Sequence, residues 1–124
     1  MNRRLWQRLE SLARKETAGV LRSLPDELRP PAAALPVVYE ALPSAEIAEE
    51  LGCDDLLGLF VGVPHGMTDA RDPLPAQILL FLENLWDYAE ESEAAFRDEV
   101  RVTFLHELGH YLGLDEDEVE ERGL

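Results

Sequence analysis

The chain has 124 residues, 46% of them hydrophobic, which suffices for one modest core but not two, so a single domain is expected. Its 26 acidic against 11 basic side chains give a formal charge of −15, which repels phosphate backbones and excludes a general nucleic-acid binder. No stretch approaches the roughly 20 apolar residues of a membrane span, and the lone Cys53 has no partner for an internal disulfide, so a soluble, cytoplasmic protein is expected.

Residues 1–30 carry seven of the 11 basic side chains, Arg3, Arg4, Arg8, Arg14, Lys15, Arg22 and Arg29, which leaves the remainder strongly acidic. Arg3 and Arg4 are followed by Gln7, Arg8, Glu10 and Ser11 rather than by an apolar run, so no signal peptide is expected. From Asn2, a capping residue, to Leu24, the apolar positions Leu5, Leu9, Leu12, Val20, Leu21 and Leu24 trace the stripe of a surface helix. Pro25, Pro30, Pro31 and Pro36 then forbid a continuous helix between them. A first strand is expected at Val37–Glu40, followed by a helix over Ala45–Leu51 that Ser44 caps and Gly52 stops. Leu56 to Val63 reads as a second strand, its glycines open to close approach by another group. Residues 64–76 form a loop rich in proline and glycine, and Ile78–Leu82 is a short buried strand. Glu83–Ala89 is a connector or short helix, and Asp115 to Arg122 an acidic helical turn or two.

The strongest element runs from Ser92 to Leu112. Phe96, Val100, Phe104, Leu108 and Leu112, four apart, form its core face, and Gly113 ends it. His106 and His110 share another face, so both imidazoles can be aimed at one ion. Glu107 stands about 100° further round, positioned to reach a metal-bound water without ligating the metal, as a general base must. Glu99, Thr103 and Gly113 lie with the histidines, away from the apolar stripe, and are expected to face a cleft. A catalytic-type zinc site needs a third protein ligand. The candidates are Asp115, Glu116 and Asp117, brought back by a left-handed turn at Gly113, with Glu116 best spaced. The remaining histidine, His65, reads as an exposed loop residue, and Cys53, Trp6, Trp86 and Tyr111 as packing residues.

The run His106-Glu107-x-x-His110-x-x-Gly113-x-x-Glu116 resembles the extended motif of the metzincin peptidases, with a carboxylate in the place of their third histidine. The metzincin methionine turn, which follows the motif, has no counterpart, since Met1 and Met67 both precede it. The chain is more similar to the minimal zincins, small bacterial zincin-like proteins, over residues 36–124. That resemblance implies an α+β fold, with a small mixed sheet packed against the N-terminal helix and the motif helix. It implies Zn²⁺ held by His106, His110 and Glu116, with Glu107 as the base that activates water against a peptide or protein substrate. The exposed edge of Gly58 to Val63 is the expected seat for a substrate strand, and Tyr88, Tyr111 and His65 are the candidate donors to a developing oxyanion. The alternative is a metal-holding binding or regulatory module with little or no turnover.

Overall fold

The computed structural model describes residues 1–62 and 76–114. All but the last residue of the expected loop from 64 to 76, with His65, and the acidic segment from Asp115 onward, with Glu116 and Asp117, lie outside the described residues. The described elements follow in the order α1 (Arg3–Ser23), α2 (Arg29–Ala34), β1 (Val37–Glu40), α3 (Ala45–Leu51), β2 (Gly58–Val61), β3 (Gln77–Phe81), α4 (Leu82–Tyr88) and α5 (Glu93–Tyr111).

The three strands form one mixed sheet in the order β1-β3-β2. β1 runs parallel to β3, with Val37 opposite Ile78, and β2 runs antiparallel to β3, with Gly58 opposite Leu80. β3 is central and its Ile78, Leu80 and Phe81 are fully buried, as its near-continuous apolar run requires. Among the described residues β2 is an edge strand, as expected of the glycine-bearing segment. This is the α+β arrangement that the sequence suggests.

The start of each long helix is written in its first residues. The Asn2 side chain accepts the Leu5 N–H at 2.8 Å, Ser44 the Ile47 N–H at 3.2 Å, and Ser92 the Ala95 N–H at 3.3 Å. α1 buries Leu9, Leu12, Ala13, Glu16, Thr17 and Val20, one face at helical spacing. α5 buries Phe96, Val100, Phe104 and Leu108. The two helices pack on each other, and α5 also lies against α4, β2 and β3, which makes it the centre of the core. Trp86 meets Phe96 edge-on at 5.9 Å, and Trp6 packs on the same core, as expected.

Polar contacts fix the angle between α1 and its neighbours. The buried Glu16 carboxylate accepts from Arg97 at 2.6 Å and stands 3.7 Å from Arg101, both on α5. At the other end of the helix pair, Arg8 holds Glu93 with two hydrogen bonds, at 2.7 and 3.2 Å. The hydrogen bond from Arg8 lowers the Glu93 carboxyl below the usual carboxylate range, and Glu93 raises the guanidinium in turn. α1 reaches the sheet through the Thr17 hydroxyl, 2.8 Å from the Tyr39 hydroxyl, with Arg14 over the Tyr39 ring.

Three features depart from the expected elements. The proline-rich stretch after α1 contains a helix, because Pro30 and Pro31 occupy the first turn of α2, where no N–H is needed and the fixed φ already suits a helix. Leu82, expected as the end of a strand, starts α4 directly after β3. The second strand is shorter than the expected Leu56–Val63. α4 ends with Glu90 and Glu91 at φ 56° and 60°, and the Glu91 N–H donates to Trp86 O while Glu90 N–H donates to Asp87 O. That is the hydrogen-bond pattern of a glycine-type helix stop formed on two glutamates. α5 ends by the same pattern on Gly113, at φ 73°: Leu114 N–H donates to Gly109 O at 2.8 Å and Gly113 N–H to His110 O at 3.2 Å. The chain therefore turns sharply at Gly113, two residues after the last residue of the helix, as the sequence suggests.

Candidate metal centre

The last two turns of α5 bring His106, Glu107 and His110 together, with one ligand-type atom from each within 4.8 Å of the others. The two imidazoles are exposed, and their ring centroids lie 4.6 Å apart at an interplanar angle of 63°. The four-residue spacing and the unbroken helical hydrogen bonding place them there, since positions i and i+4 stack on one face. Neutral imidazole nitrogen is a ligand for divalent transition metals, and two exposed imidazoles beside a carboxylate suit such an ion. The third-ligand candidates Asp115, Glu116 and Asp117 lie outside the described residues.

Glu107 differs from the histidines in its surroundings. Its side chain is only 12% exposed, and its Oε2 accepts the backbone N–H of Phe60 at 3.1 Å. Alternate residues of an antiparallel edge strand turn their N–H away from the partner strand, and Phe60 is one of these on β2. His110 Nδ1 stands 3.3 Å from the same oxygen. A carboxylate with an acceptor atom anchored by a backbone donor keeps a fixed direction, which a positioned proton acceptor needs.

The close seating of α5 against β2 depends on Gly58. A Cβ at that position would lie 2.6 Å from Thr103 Cγ2 and 3.2 Å from Leu79 O. The open glycine expected from the sequence thus receives the motif helix itself. Gly58→Ala is expected to cost about 1–3 kcal/mol, and Thr103→Ser in the same chain should recover part of it by removing the methyl. Urea unfolding of the single and double variants measures both effects.

A groove of about 340 Å³ opens beside the centre, lined by Glu99, Val102, Thr103, His106 and Glu107 from α5, by Gly58 at the start of β2 and Leu57 just before it, and by Tyr88 at the end of α4. Glu99, Thr103 and His106 thus face a common cleft, as expected, whereas His110 and Gly113, expected to face it too, are not among the residues that line it. Of the candidate oxyanion donors, Tyr88 borders this groove, whereas the Tyr111 ring packs on Phe60 at 5.6 Å. The anchoring Phe60 N–H and the groove walls Leu57 and Val102 escaped the sequence reading. The glycine at 58 was the one signal pointing to that strand.

These features define a class: an α+β protein with a histidine pair and a carboxylate that could hold a metal ion, on a helix laid against the edge of a small mixed sheet. The chain belongs to the zincin-like metallopeptidase family, whose model matches residues 32–124. No curated protein matches the chain. The match begins in α2, so α1 precedes it while supplying much of the packing for the motif helix. Among the described residues, no helix is long and apolar enough to cross a membrane.

Proposed function

We propose that the chain is a zinc-dependent peptidase, one domain working in a reducing, cytoplasmic compartment, with His106, His110 and Glu116 as metal ligands and Glu107 as the catalytic base. The observation that carries this reading is the placement of Glu107, anchored by Phe60 N–H between the paired imidazoles and the edge of β2. When held by these ligands, zinc would supply Lewis acidity towards the scissile carbonyl and would lower the pKa of a bound water towards about 7. Glu107 accepts the proton of the attacking water at its carboxylate and delivers it to the departing amine nitrogen. β2, an edge strand, offers main-chain groups along which an extended peptide or protein segment can be held.

One observation favours a second reading, a metal-holding binding or regulatory module without turnover. Glu107 Oε2 already accepts the Phe60 N–H, His110 Nδ1 stands 3.3 Å from the same oxygen, and the side chain is largely buried. Cleavage of a diverse peptide library by the zinc-loaded wild type and by Glu107→Gln separates the two. Cleavage by the wild type alone supports the peptidase, and equal or absent cleavage in both removes it.

A further inference from the structure

We propose that the groove extending from His106 and Glu107 towards the start of α5 is a specificity subsite for a long cationic side chain, arginine or lysine, close to the bond that is cleaved. This rests on the peptidase reading and names the substrate class for it. Glu99 and His106 are seven residues apart on one helix face, so about 10 Å separates them along the axis. A short side chain on a residue seated at the imidazoles does not span that distance, whereas that of arginine or lysine approaches it. The path between is suited to a methylene stem. Leu57 and Val102 flank it, Val102 being 62% exposed, and the Tyr88 ring, 64% exposed, stands at the rim. The far end carries the half-buried Glu99 carboxylate.

Among the described residues, that carboxylate has no hydrogen-bond or ion-pair partner, and no lysine or arginine lines the groove. The nearest cations on the same helix, Arg97 and Arg101, are turned to the opposite side, where they hold Glu16. A guanidinium or ammonium entering the groove therefore meets a carboxylate that no described residue pairs at its end and an aromatic ring at its rim. Arginine gains more than lysine, because its planar fork engages a carboxylate with two hydrogen bonds. An acidic side chain meets repulsion from Glu99, and a neutral one desolvates the carboxylate without pairing it. The net charge of −15 works in the same direction by drawing cationic peptides towards the molecule.

The test uses internally quenched peptides identical except at one position, scanned across the sequence, that carries arginine, lysine, glutamine, methionine or glutamate. The zinc-loaded wild type is expected to prefer arginine over glutamine by roughly 10- to 100-fold in kcat/KM at one position, the scale of a charge-assisted hydrogen bond. Glu99→Gln should reduce that ratio to near one, and Glu99→Lys should invert it in favour of glutamate. Cleavage without a cationic preference, or a preference unchanged in both variants, overturns the subsite while leaving the peptidase standing. The same arginine and glutamine peptides are also titrated against Glu107→Gln, with and without Glu99→Gln, following binding by fluorescence anisotropy. Tighter arginine binding that disappears with Glu99→Gln supports the subsite even if no peptide is cleaved, and equal binding of both peptides overturns it.

Discussion

Glu107→Gln is expected to lower kcat/KM for peptide cleavage about 100- to 10,000-fold, the usual contribution of a positioned general base, while metal content and thermal stability stay close to those of the wild type. Glutamine retains a carbonyl oxygen where the glutamate carboxylate accepts the Phe60 N–H at 3.1 Å, so the contact between α5 and β2 survives. What is lost is the capacity to take up a proton. Glu107→Ala provides the contrast, because it leaves the Phe60 N–H without its acceptor and adds a structural cost of about 1–3 kcal/mol. Steady-state kinetics beside thermal melts of the two variants separates the chemical from the structural part. A glutamine variant as active as the wild type removes Glu107 from the reaction.

The largest effect on stability is expected from Phe104→Ala. Phe104 is fully buried on the face of α5 opposite the groove, in the row formed with Phe96, Val100 and Leu108. Truncating such a ring costs about 3–5 kcal/mol, a large part of the roughly 5–15 kcal/mol that holds a small domain folded. Since α5 touches α1, α4, β2 and β3, the loss loosens the helix that carries both histidines. A ligand that binds only the folded chain stabilises it by mass action, so added zinc should raise the melting temperature of Phe104→Ala and have no such effect on a chain lacking both His106 and His110. Calorimetry with and without zinc reads the two together. A Phe104→Ala protein as stable as the wild type contradicts the placement of the core.

Much of this site could be read from residue spacing because it sits on one helix. The four-residue rows of Phe96 to Leu108 and of His106 and His110 set the buried and the open faces, and Glu99 and Thr103 followed by geometry alone. Gly113 announced the turn after α5 for the same local reason, that a left-handed residue is needed there. The contribution of β2 was harder to see. The donor that anchors Glu107 is a backbone N–H, which carries no residue signature, and its direction depends on which neighbour β2 pairs with. α2 was hidden by counting prolines as breakers, although the first helical turn accepts them. The stop at Glu90 and Glu91 was hidden because glutamate carries no preference for left-handed backbone. Each of these depends on long-range pairing or on a residue used against its usual preference.

The proposed metal site, with His106 and His110 holding an ion on the open face of α5, underlies every step of the proposed reaction. Its most direct test is elemental analysis of protein purified without added metal and again after reconstitution with zinc, for the wild type beside His106→Ala, with circular dichroism confirming that the variant is folded. Close to one zinc per wild-type chain is expected, with most of it lost in the variant. A wild type that holds no zinc after reconstitution, or a His106→Ala protein that holds as much as the wild type, would contradict it.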